Sequence, residues 1–65
     1  MDKKLIRKRR ALGFTQHTLS DASGVPRHRI AFAETGRLSL TKDELEKIQA
    51  AIRKRAERVA ALVAA

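Results

Sequence analysis

The chain has 65 residues, enough for one domain, and carries 15 Lys and Arg against seven Asp and Glu for a net charge of +8. It has no cysteine, which excludes disulfides and thiolate metal sites. So short a chain builds a thin core that a partner subunit would reinforce, and so basic a chain calls for an anionic partner, either nucleic acid or an acidic membrane surface.

The first ten residues, MDKKLIRKRR, are basic, and no apolar stretch follows them as it would in a secretory signal. No apolar run is long enough to span a membrane, so the expected compartment is the cytoplasm. The charge is uneven. Residues 1–37 hold nine Lys and Arg against three Asp and Glu, and residues 38–65 hold six against four. With two Phe and no Trp or Tyr, the chain lacks the aromatic platforms used to stack single-stranded bases.

Asp2 is placed to cap a first helix running to about Leu12, with Leu5 and Leu12 on one face and Ile6 and Ala11 beside them. Lys3, Lys4, Arg7, Lys8 and Arg10 fall mostly off that face. Gly13 is suited to end the helix in the left-handed conformation. Thr15 caps a second helix from Gln16 to about Ser23, with Leu19 and Ala22 facing inward. Gly24 makes a tight turn, Val25 tucks into the core and Pro26 suits the first turn of a third helix. That helix runs to about Glu34 or Thr35 and stops at Gly36. Ile30 and Ala33 point inward, and Arg27, His28, Ala31 and Phe32 lie opposite.

Leu38 and Leu40, in a short connection, close the core. Thr41-Lys42-Asp43-Glu44 reads as a capping box. From there to Ala65 no Gly or Pro occurs, alanines at 50, 51, 56, 60, 61, 64 and 65 favour helix, and one long helix is predicted. Leu45, Ile48, Ile52, Val59 and Leu62 follow heptad-like spacing, interrupted by Arg55. With Val63, they form the predicted dimer interface. The fold class is all-α: a small bundle of four helices in a single domain, with residues 1–40 as the core that meets the anionic partner and 41–65 as a long dimerising helix.

Helix, glycine turn, helix is a helix-turn-helix pattern, whose second helix can enter the major groove. The chain resembles the phage-repressor-like (Xre) helix-turn-helix family, which shares the lambda-repressor-like fold. Arg9, Gly13-Phe14-Thr15-Gln16, Leu19-Ser20, Gly24-Val25-Pro26, Ile30 and Glu34-Thr35-Gly36 carry the resemblance, which covers roughly residues 5–48. It implies that Gln16 touches a phosphate and braces the recognition helix. It also implies that Arg27 and His28, behind Pro26, read bases, and that Arg9 and Glu34 form a structural pair. Arg27 suits a bidentate contact to guanine, and His28 can donate to a guanine or a phosphate. Phe32 sits where the family often has a polar reader. It either presses on a thymine methyl or packs as a core aromatic against the linker leucines. Thr15, Arg29, Arg37 and Lys42 complete the expected phosphate contacts.

Two features depart from the family. Pro26 replaces a usual Ser, so no side chain caps helix three there and its start can shift by a residue. The fourth helix is not broken by a Gly-containing turn before a fifth, so the usual dimer surface is replaced.

The resemblance points to a dimeric, sequence-specific regulator of transcription, usually a repressor, on a near-palindromic duplex operator. The competing reading is an interaction module, antitoxin-like or otherwise, whose C-terminal helix binds a partner protein or an anionic membrane. Four acidic residues between 43 and 57 weaken the membrane version. No carboxylate pair, activated nucleophile or phosphate-cradling glycine loop suggests an enzyme. No cofactor is expected. His17 and His28 lack the company a metal needs, and His17 reads as a solvated helix residue.

Overall fold

In the computed structural model, which describes residues 1–64, four helices follow one another: α1 (Lys3–Ala11), α2 (Gln16–Ser23), α3 (Arg27–Glu34) and α4 (Lys42–Ala64). The expected continuation of α4 to Ala65 lies outside the described residues.

Local chemistry fixes the helix ends. Asp2 accepts from the Lys4 amide at 3.0 Å and caps α1. Gly13, at φ 77°, reverses the chain after α1, where the Gly13 and Phe14 amides return to the Arg10 and Arg9 carbonyls. These two bonds form a Schellman motif, and its apolar Phe14 drops into the core. The Thr15 hydroxyl accepts from the Thr18 amide and the Thr18 hydroxyl from the Thr15 amide, so α2 begins with a reciprocal capping box. A second reciprocal box opens α4, where Thr41 Oγ1 accepts from the Glu44 amide at 3.1 Å and Glu44 Oε1 from the Thr41 amide at 2.9 Å.

The core draws on every helix. Leu5, Phe14, Leu19, Val25, Ile30, Ile48, Ala51 and Ile52 are buried together. Leu40 packs on this cluster and Leu38, only half-buried, does not. The inward side of α2 also differs from expectation. Ala22 is exposed, while Gln16, Ser20 and Ser23 are partly covered around the buried Leu19. The buried line therefore follows the 16-19-20-23 register, and Ala22 falls off it.

The long helix serves two environments. Ile48, with no exposure, points into the chain's own core, is unavailable to a second subunit and drops out of the predicted dimer interface, whereas Ile52, also in the core, keeps an edge on the side facing α1. Leu45, half-buried, packs on the edge of the same core. Val59, Leu62 and Val63 are 39%, 72% and 82% exposed. The reason is length. At about 1.5 Å per residue α4 runs about 34 Å, whereas the molecule is only 18 Å across its two shorter dimensions. The last turns of α4 outrun the bundle. No helix among the described residues is long and apolar enough to cross a membrane.

Candidate nucleic-acid interface

The recognition helix is fixed at both ends before it reaches any ligand. At its start, Gly24 adopts φ 79° and Val25 is buried. Ser20 Oγ donates to the Val25 carbonyl at 2.7 Å, and Ser23 Oγ accepts from the Val25 amide at 3.2 Å. Pro26 precedes the first helical residue and no side chain caps α3. Ile30 and Ala33 anchor the helix with no exposure. At its end, the Arg37 amide returns to the Phe32 carbonyl at 2.8 Å and the Gly36 amide to the Ala33 carbonyl at 3.2 Å, a second Schellman motif.

Arg27 and His28 stand exposed on the first turn of this helix, which has no acidic side chain. The Arg27 cation there opposes the positive end of the helix dipole. Uncapped amide groups and long donors at one helix start create a place that only an approaching anion relieves.

Phe32 is 42% exposed and does not join the core, so the core-aromatic alternative is excluded. Instead the His28 ring meets its edge with centroids 6.4 Å apart, and the Arg37 guanidinium lies 5.9 Å from its centroid. His28, Phe32 and Arg37 thus form a continuous row along the outer side of α3. The sequence holds one signal for it, the i,i+4 spacing of His28 and Phe32. The contact with Arg37 depends on the Schellman turn. Lys42, exposed at the start of α4, lies beyond the same loop.

Other candidate residues are committed inside the protein. Arg29 does not extend freely toward solvent. Its Nε and Nη2 both donate to the Glu44 carboxylate, the latter at 2.8 Å. This corrects its assignment as a free phosphate ligand: the second carboxylate of the α4 capping box claims it. Hydrogen bonds from Arg29 and then from the Thr41 amide hold the Glu44 carboxyl down at about 2. The same pairing pushes the Arg29 pKa up. The Thr15 hydroxyl is occupied by its own cap. Gln16 Nε2 donates to Glu34 Oε1 at 3.2 Å, so this half-buried side chain braces α2 against the end of α3.

Glu34 also receives Arg9, whose Nε and Nη2 donate at 2.8 and 3.0 Å while its Nη1 donates to the Phe14 carbonyl at 2.7 Å. One carboxylate therefore joins α1, the start of α2 and the end of α3. His17 is exposed near Asp21 at 3.6 Å, and no group of three potential metal ligands occurs among the described residues.

A helix-turn-helix family profile matches residues 4–59, most of the chain. The chain belongs to the helix-turn-helix family, of the Xre-like type. No curated protein and no solved structure matches it. Membership makes this helix-turn-helix chain a DNA-binding regulatory domain, with α2 and α3 as its two-helix unit. Its four-helix, all-α architecture agrees with the lambda-repressor-like fold.

Proposed function

We propose that the chain is a sequence-specific repressor that binds a near-palindromic duplex operator as a homodimer. Arg27 and His28, preceded by Pro26, read base edges in the major groove, and Phe32 contacts a thymine methyl. Arg37, Lys42 and the backbone amides of the first turn of α2, behind Thr15 at Gln16, hold phosphates. The observation that carries this reading is the pair of exposed hydrogen-bond-donating side chains, Arg27 and His28, on an uncapped helix start whose backbone is anchored at both ends. Preorganisation of that kind lets donors meet a base without the cost of ordering the backbone. Residues 1–40 supply the reading surface, and the exposed part of α4 supports pairing through Val59, Leu62 and Val63. Two copies then set their recognition helices about 34 Å apart, one turn of duplex.

The same exposed residues also favour a second reading, in which the end of α4 docks on another protein in an antitoxin-like arrangement. One experiment separates the two. Selection of bound duplexes from a random pool, with the mass of the complex measured, yields a symmetric site and two protein chains per duplex for the dimeric repressor. Recovery of no preferred sequence rejects it.

A further inference from the structure

A groove of about 620 Å³ runs between α1 and α4. Its apolar lining comes from Leu5, Ala11, Leu12, Ile52 and Ala56, with Lys8 and Arg53 beside them. Its α4 wall continues directly into the exposed tail. At 3.6 residues per turn, positions 49, 52, 56, 59, 60 and 63 share one side of the helix. The bundle covers the first part of that side and leaves the rest bare, which is why Val59 and Val63 are exposed while Ile52 is 6% exposed.

The chain cannot fill its own groove. Residues 42–64 form one unbroken helix, and the last Gly or Pro before it is Gly36. The apolar tail is directed away from the apolar groove, and both remain open on the same molecule.

The geometry points to mutual exchange: in the dimer, residues 56–64 of each α4 lie antiparallel in the α1–α4 groove of the other subunit, with the two-fold axis beside Ala56. This rests on the dimeric reading above and specifies its contact. Across an antiparallel pair centred at position 56, Gln49 faces Val63 of the partner subunit, Ile52 faces Ala60 of the partner subunit and Arg53 faces Val59 of the partner subunit. These are the three other α4 residues that line the groove. Ala56, exposed and small, permits close approach of the two helices at the axis.

Charge favours the same occupant. Lys8 and Arg53 flank the groove, and α1 presents Lys3, Lys4, Arg7, Lys8 and Arg10 to solvent with no acidic residue in the helix. Another copy of most segments of this chain would be repelled. Residues 59–64, Val-Ala-Ala-Leu-Val-Ala, carry no charge. An acidic helix from another protein would satisfy the flanking cations but leave Val59, Leu62 and Val63 bare. A second copy covers the groove and the tail together, and does so twice by symmetry.

The absence of native cysteine makes a direct test clean. Single substitutions Q49C and V63C fall at exposed positions, so neither disturbs the core. The two purified variants are mixed, equilibrated and oxidised, and the disulfide-linked products are resolved by intact mass. The expected product is the mixed Q49C–V63C dimer, several-fold in excess over either homodimer. A dominant V63C–V63C product means that tails meet tails, which overturns the exchange but leaves a dimer. Monomers by light scattering, with and without operator duplex, overturn both the exchange and the dimeric reading. Ala56→Lys gives an independent check, because it sets like charges across the axis in a groove already flanked by Lys8 and Arg53. It should weaken dimerisation about tenfold or more with helix content unchanged, and an unaltered dissociation constant also overturns the arrangement.

Discussion

Arg9 and Glu34, 25 residues apart in sequence, meet as a two-pronged pair with only 6% of each side chain exposed. The pair joins α1 to the end of the recognition helix, and Gln16 and the Phe14 carbonyl complete it. Replacing a buried pair with apolar groups is often neutral, whereas removing one partner strands a charge. Glu34→Ala should therefore cost about 3–5 kcal/mol, and each kcal/mol lowers the melting temperature of so small a domain by about 4–8 °C. A thermal melt checks this, and a transition unchanged from wild type removes the structural role assigned to Glu34.

The two classes of DNA contact predict different losses. Arg27→Ala should cost about 1–3 kcal/mol at one base position and relax the preference there. Lys42→Ala and Arg37→Ala should weaken binding to all duplexes alike, each lowering the slope of log affinity against log salt by about 1. Titrations of specific and random duplexes at several salt concentrations distinguish the two. Equal losses on both duplexes for all three variants reject the division of roles.

Much of this architecture was legible because helix ends are local events. Thr15 and Thr41 start helices and Gly13, Gly24 and Gly36 terminate or reverse them, each through contacts within a few residues. Contacts between distant segments were not legible in the same way. The heptad-like spacing of α4 reports an apolar side but not what covers it. Half of that side, Leu45, Ile48 and Ile52, belongs to the chain's own bundle. Ala22 falls outside the buried line because eight residues of helix fit two neighbouring registers. The Arg29–Glu44 pair is not legible in the sequence because Glu44 also serves the local capping box, which alone accounts for its position.

Core position and exposed position on α4 should respond in opposite ways. Ile48→Ala removes a side chain with no exposure and should cost about 2–5 kcal/mol. Val63→Ser changes a residue that is 82% exposed and should leave the stability of the monomeric fold within about 0.5 kcal/mol. Urea unfolding at concentrations low enough to keep chains apart measures both. A large loss for Val63→Ser would place that side chain inside the fold.

The Arg29–Glu44 pair makes stability depend on acid. Folded Glu44 keeps its charge down to about pH 2, while an unfolded chain protonates the same group near its ordinary value of 4.5. Between those values the unfolded state binds more protons, so the pair's contribution is present above the upper value and disappears as pH falls through the lower one. Glu44→Gln should be less stable than wild type at neutral pH, and the difference should narrow on acidification from about pH 5 to about pH 2. Melts at matched ionic strength test this, and a gap that is constant across the window excludes the pairing as its source.

Arg55 interrupts the apolar spacing of α4, and its surroundings supply the reason. Its guanidinium lies 4.7 Å from the centroid of the buried Phe14 ring, and its Nε donates to the Leu12 carbonyl at 3.3 Å. Leu12 ends α1, so its carbonyl lacks a helical partner, and a cation there also complements the negative end of the helix dipole. Arg55 thus ties the middle of α4 to the turn that delivers Thr15 and Gln16 to the start of α2. A cation over an aromatic face contributes about 0.5–2 kcal/mol, so Arg55→Ala should lower the melting temperature by several degrees. Arg55→Lys retains the charge but not the planar fork, and should recover only part of the loss. Because Arg55 lies away from Arg27 and His28, neither variant should change the preferred operator. A changed base preference at unchanged stability would show instead that Arg55 acts on the recognition helix.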